Sequence, residues 1–83
     1  MTLTMVSYYE QIVSVTTDYL GPASKRFIDR QISFHFNNKD HETLTKDDVA
    51  KLADSVRISL GLLTQDAKMV TEAEARIRAI ATA

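Results

Sequence analysis

Residues 37–49, NNKDHETLTKDDV, hold most of the side chains of this sequence that could bind a metal ion. A calcium loop of the EF-hand type needs oxygen ligands at its first, third and fifth positions, a glycine at the sixth, an aliphatic residue at the eighth and a glutamate at the twelfth. A loop starting at Asn37 places Lys39 at a ligand position, where its ammonium group repels a cation. A loop starting at Asn38 has Val49 in place of the closing acid. Neither alignment supplies the glycine, so we expect a polar loop without calcium.

The other residue types that carry out chemistry are sparse. His35 and His41 stand six residues apart, whereas two metal ligands on one helical face stand about one turn apart. The sequence contains no cysteine, which excludes disulfides, thiolate zinc sites and cysteine nucleophiles. Gly21 and Gly61 are too far apart to form a phosphate-binding loop. We therefore expect no enzyme activity, no metal and no cofactor.

The composition is typical of one small globular domain that spans residues 1–83. With 45% hydrophobic and 25% charged residues, the chain is too apolar for a disordered segment. No stretch approaches the ~20 apolar residues that cross a bilayer. The start, MTLTMVSYYEQ, lacks the basic head and long apolar core of a secretory signal. Together with the absence of cysteine, these features predict a cytoplasmic protein that does not associate with membranes.

Basic side chains are densest at Lys25, Arg26 and Arg30. Proteins that bind nucleic acids usually carry a basic patch, which displaces counterions from the phosphates. A net charge of −1 and the acidic residues of the next segment instead favour a solvated helix face. A small nucleic-acid-binding regulator that uses this basic face is kept as the alternative function.

The elements that position these residues are predicted to be helices, and the fold class is all-α, a compact four-helix bundle. Apolar residues recur at three- and four-residue steps over about 7–20, 22–36, 45–63 and 65–81. Residues 32–36, ISFHF, alternate apolar and polar side chains as a strand does. A lone strand leaves backbone groups unpaired, and no second alternating run is present to pair with it. We therefore expect a helix there as well.

The sequence also indicates where helices begin and end. Gly21 can close the first helix in a left-handed conformation, and Pro22 suits the first turn of the second. Thr45 is a favourable N-cap for the third helix, with Asp48 three residues later to return the hydrogen bond. Beyond it, one apolar stripe is expected to face the core: Val49, Leu52, Ala53, Val56, Leu60 and Leu63.

Two helices carry apolar residues outside their main faces. Ile58 and Leu62 lie about half a turn from the main stripe of the third helix, at ~100° per residue. Tyr8 and Val15 lie similarly off the main face of the first helix. Such residues are either covered by neighbouring helices or form an exposed face that binds a second chain. Gly61 costs ~1 kcal/mol relative to alanine within a helix, which indicates the close approach of a neighbouring helix.

The exposed-face interpretation is our leading functional hypothesis. It predicts a non-catalytic protein–protein interaction or regulatory module, whose interaction face is formed by Tyr8, Val15, Ile58 and Leu62. The partner is then another protein or a second copy of the same chain, and neither nucleic acid nor membrane is favoured.

The segments YLGPASKRFIDRQI and LTKDDVAKLADSV together resemble small helical domains of bacterial signalling proteins, which often follow a kinase or receiver domain and are largely uncharacterised. The shared features are the Tyr-Leu-Gly-Pro turn at 19–22, the basic-apolar run at 26–28 and the Leu-Ala pair at 52–53. The resemblance covers about half of the chain and includes no catalytic motif. It implies a helical regulatory or docking module without a specific ligand. The polar segment 37–44 departs from the pattern.

Overall fold

The computed structural model describes residues 7–37 and 39–82. This part of the chain is helical and contains no strand, so the all-α prediction is confirmed, including a helix in place of a strand at ISFHF as far as His35. The elements are α1 (Tyr8–Leu20), a 3-10 turn (Gly21–Ala23), α2 (Ser24–His35), a second 3-10 turn (His41–Thr43), α3 (Lys46–Leu63) and α4 (Ala67–Thr82).

Local sequence explains how α1 begins and ends. The hydroxyl oxygen of Ser7 accepts a hydrogen bond from the backbone N–H of Glu10 at 3.2 Å, which caps the helix. Gly21 ends the helix with a φ of 59°, in the left-handed region that favours glycine, and its N–H donates to the carbonyl of Thr17. Pro22 lies in the 3-10 turn that leads directly into α2. The predicted role of Gly21 in closing α1 is therefore confirmed, whereas Pro22 precedes α2, which begins at Ser24, instead of lying in its first turn.

Thr45 caps α3 as predicted. Its hydroxyl accepts from the backbone N–H of Asp48 at 3.2 Å, and Oδ2 of Asp48 accepts from the backbone N–H of Thr45 at 3.0 Å. Nζ of Lys39 donates to the same Asp48 oxygen at 2.5 Å. Burial raises the pKa of Asp48, but the hydrogen bonds from Lys39 and Thr45 and the charge of Lys39 outweigh it. The pKa of Asp48 is therefore lowered from its ordinary value.

The helices pack as a closed bundle in which each contacts two neighbours. α1 packs on α2 and α4, while α3 packs on α2 and, most extensively, on α4. None of the described helices combines the length and apolar content that crossing a bilayer requires. All four helices and the segment before α3 contribute to the core, which contains Ile12, Ile28, Ile32, Leu44, Val49, Leu52, Ala53, Val56, Leu60, Val70, Ala73 and Ile77.

The structure differs from the prediction near the end of α3. The apolar stripe is buried from Val49 to Leu60, but Leu63 is 67% exposed because it is the last helical residue, where the chain turns toward α4. A methyl group added at Gly61 would meet no other atom within 4 Å. The prediction that a helix of this chain approaches Gly61 closely is therefore wrong.

Candidate interaction surface

An open apolar groove lies between α2 and α3. Its apolar lining consists of Phe27 and Phe34 from α2 and Leu62 and Leu63 from α3, and these four residues define the α2–α3 groove. Phe34 is 77% exposed and Leu62 is 84% exposed. Apolar residues scattered singly over a surface are ordinary, whereas a contiguous group marks a surface that binds something apolar.

Helical spacing explains why α2 contributes to the groove. Phe27, Arg30 and Phe34 follow one another at steps of three and four residues, which places them on one side of the helix. Ile28 and Ile32 occupy another side and are buried in the core. Phe34 is not among the residues of the predicted interaction face, and Leu63 was predicted to face the core. The spacing of Phe27, Arg30 and Phe34 was the available signal.

A hydrogen-bonded polar contact joins the two helices beside the groove. Gln31 is buried, and its Oε1 accepts from the hydroxyl of Ser55 and from the hydroxyl of Ser59, the latter at 3.1 Å. A buried amide oxygen with two donors fixes the position of its side chain. Because Gln31 and Ser59 also line the groove, this contact holds α2 and α3 at a defined spacing and the groove is preformed.

The apolar surface continues along α3. Ile58 is 56% exposed and lines a second depression with Phe36 and Lys51. His35, at the end of α2, lines both this depression and the α2–α3 groove. The exposed strip therefore extends along α3 from Lys51 to Leu62, and α3 is not enclosed by the other three helices.

Unpaired positive charge surrounds this strip. Arg26, Arg30 and Lys51 are exposed, and none of them forms an ion pair within the described residues. Asp54, the carboxylate in the depression beside Ile58, is held by Arg78, with an Nη2 to Oδ1 distance of 2.6 Å. The surface around the groove is consequently apolar with a positive margin.

The structure separates the four residues of the predicted interaction face. Tyr8 and Val15 are half-buried on α1 and pack against the core, with Val15 beside Ile80 of α4. Ile58 and Leu62 lie on α3, next to α2, and are well exposed. The two pairs do not form one exposed face, because α1 turns its off-stripe residues toward α4 and the core.

The predicted basic face is also divided. At ~100° per residue, Arg26 and Arg30 lie about 40° apart around α2, whereas Lys25 lies about 140° from Arg30. All three side chains are exposed. Arg26 and Arg30 therefore belong to the side of α2 that carries Phe34, and Lys25 does not share that side.

A second polar cluster joins α1, α2 and the turn before α3. The hydroxyl of Tyr9 donates to Oδ1 of Asp29 at 2.5 Å, and Nε2 of His41 lies 3.5 Å from the same oxygen. The rings of Tyr9 and His41 stack with centroids 4.0 Å apart. Burial and the hydrogen bond to Asp29 raise the pKa of Tyr9, so its hydroxyl remains a proton donor. The sequence gives no signal for this cluster, because its members lie far apart and form no motif.

The acidic loop shows no metal-binding arrangement in the part of the chain that the structure describes. Asp40 caps the second 3-10 turn by accepting from the N–H of Glu42 at 3.0 Å, and Asp48 is engaged at the start of α3. No three histidine, aspartate or glutamate side chains of the described residues are placed to hold a metal ion. Asn38, the first residue of one tested calcium alignment, lies outside the described residues.

Fold and surface together define a small four-helix domain with a preformed apolar groove. No protein-family model matches the chain, and comparisons with curated proteins and with solved structures give no match. The resemblance to helical domains of bacterial signalling proteins therefore stays a prediction.

Proposed function

We propose that this chain is a non-catalytic protein–protein interaction module and that the α2–α3 groove is its binding surface. The observation that carries the proposal is the side-by-side exposure of Phe34, Leu62 and Leu63. Removing such a side chain from water contributes ~1.5–3 kcal/mol when its burial is complete. In the isolated domain these side chains remain in water, so a second chain that covers the groove gains this free energy on binding.

Two further features support the proposal. The contact of Gln31 with Ser55 and Ser59 fixes the groove before any partner arrives, which reduces the entropy lost on binding. The resemblance to helical domains of bacterial signalling proteins implies a regulatory or docking role, and we include such a role in the proposal. A cytoplasmic location, suggested by the absence of cysteine, stays a prediction.

A pair of matched substitutions tests the proposal. Leu62→Glu places a charge in the groove, and Ala75→Glu places the same charge on the exposed side of α4. Tagged wild-type and variant chains are purified under mild conditions from the cells that naturally express them, and co-purifying proteins are quantified by mass spectrometry. We expect specific partners to be lost with Leu62→Glu and retained with Ala75→Glu, while both variants keep the helical circular dichroism signal. Equal recovery with both variants contradicts the proposal.

A nucleic-acid-binding regulator remains the second candidate function. The guanidinium groups of Arg26 and Arg30, which are exposed and form no ion pair among the residues that the structure describes, support it. This alternative predicts binding of DNA or RNA that weakens steeply as salt is raised and that is lost in an Arg26→Glu, Arg30→Glu double variant. Absence of any binding at low salt, measured by fluorescence anisotropy with labelled oligonucleotides, rejects it.

A further inference from the structure

We infer that the occupant of the α2–α3 groove is an amphipathic α-helix of another protein, about three turns long, with aspartate or glutamate beside its apolar anchors. This inference rests on the proposed function and adds the chemistry of the partner. It follows from the length of the exposed strip, from the charge of the strip, and from the poorer fit of a second copy of the chain or of a nucleic acid.

The length of the strip matches a short helix. The eleven residue steps from Lys51 to Leu62 span about 16 Å at ~1.5 Å per residue, which is the length of three helical turns. The apolar groups Ile58 and Leu62 occupy one turn at one end of this span, with Phe34 across the groove, and Lys51 stands at the other end. An open groove between two helices suits a third helix that inserts apolar residues at steps of three and four.

The charge of the groove indicates which residues should flank the apolar anchors of the bound helix. Arg30 lines the groove together with its apolar residues, and Lys51 lines the depression beside Ile58. No carboxylate of the described residues lines the groove beside Arg30, and the one that lines the depression beside Lys51, Asp54, is paired with Arg78. Acidic side chains on the bound helix therefore meet cations that form no ion pair within the described residues. Complementary charge of this kind speeds association and fixes the orientation of the bound helix.

The same charges disfavour the two other occupants. In a two-fold dimer the same surface patch serves both subunits. Because the lining of the groove contains Arg30 but no carboxylate, a second copy offers Arg30 no opposite charge from that patch. A single-stranded nucleic acid would pair with the arginines and stack a base on Phe34, but the exposed leucines Leu62 and Leu63 of the same groove give its other bases no ring to stack on. An acidic amphipathic helix satisfies both the leucines and the arginines.

A selection from a peptide library tests the inference. Displayed helical peptides of about 15 residues carry apolar anchors at three- and four-residue steps, with flanking positions randomised among acidic, basic and neutral residues. The full chain is immobilised as wild type, Leu62→Glu, Arg30→Glu or Ala75→Glu, and enriched peptides are sequenced after selection at low and high salt. Light scattering of the free chain over a range of concentrations is measured in parallel.

We expect acidic flanks to be enriched about fivefold or more over basic flanks on the wild type at low salt, and less at high salt. Leu62→Glu should remove the enrichment, Arg30→Glu should remove the charge preference alone, and Ala75→Glu should change neither. Enrichment that depends on Leu62 but not on flanking charge overturns the inference and leaves the proposed function standing. A dimer of the free chain that Leu62→Glu dissociates likewise overturns the inference and leaves the proposed function standing. Absence of any enrichment dependent on Leu62, with a monomeric chain, rejects the helical partner and counts against the proposed function.

Discussion

Leu60 and Leu62 provide a direct comparison between the core and the proposed binding surface. They are the same residue type, two positions apart on α3, yet Leu60 is 1% exposed and Leu62 is 84% exposed. Substitution of either by alanine changes the intrinsic helix propensity equally, so the difference between the two variants reports burial alone.

The magnitudes follow from these exposures. Truncating a buried leucine to alanine costs ~2–5 kcal/mol, because transfer free energy is lost and a cavity remains. Leu62 buries only about a sixth of its surface, so its share of the ~1.5–3 kcal/mol for a fully buried side chain is at most ~0.5 kcal/mol. A domain of this size has a total stability of ~4–12 kcal/mol at ~0.05–0.15 kcal/mol per residue. Leu60→Ala therefore removes a large share of the stability and Leu62→Ala little of it.

Urea-induced unfolding followed by circular dichroism measures both variants. With m-values of ~1–3 kcal/mol/M, Leu60→Ala should lower the unfolding midpoint by about 0.7 M or more, and Leu62→Ala by less than about 0.5 M and several-fold less than Leu60→Ala. Comparable losses in the two variants would show that Leu62 belongs to the core, and the assignment of an exposed groove would be refuted.

Three further predictions concern the fold. Gly61→Ala should raise the free energy of unfolding by ~0.5–1 kcal/mol, because the added methyl group meets open space; a loss in urea unfolding contradicts this placement. Asp48→Asn should lower stability by ~1 kcal/mol at neutral pH through the weakened cap and the lost charge pair with Lys39. Because the pKa of Asp48 is lowered in the folded state, its contribution is present above the unfolded pKa of about 4 and is lost as the pH falls through the folded value. The variant should therefore lose less stability than the wild type on acidification, and equal acid profiles refute the pairing. Gln31→Leu should cost ~1–3 kcal/mol, measured by thermal unfolding, because the Ser55 hydroxyl loses its acceptor; an unchanged midpoint rejects that contact.

Local signals were sufficient to predict most of the fold. Thr45 and Asp48 identify the start of α3 because the capping box is a contact between residues three apart. Gly21 and Pro22 identify the junction between α1 and α2, because each acts on the conformation of its own backbone and is therefore also a local signal. The buried stripe from Val49 to Leu60 follows from helical periodicity alone.

The α2–α3 groove could be predicted less well from the sequence, because it depends on which helices become neighbours. Periodicity separates Ile58 and Leu62 from the core stripe, but it cannot show that Phe34 of α2 lies beside Leu62. The exposure of Leu63 depends on where α3 ends and the chain turns toward α4. The contact between Tyr9 and Asp29 joins residues 20 positions apart, for which no local pattern exists.

The central claim, that the α2–α3 groove binds another protein, is tested most directly by photo-crosslinking from the groove itself. A benzophenone amino acid is introduced at Leu62 or, as a control, at Ala75, and the full chain is irradiated in the cells that express it. We predict a discrete adduct of higher mass from position 62 that is absent from position 75 and is lost when Phe34→Glu is added. No adduct from position 62, or the same adducts from both positions, contradicts the account.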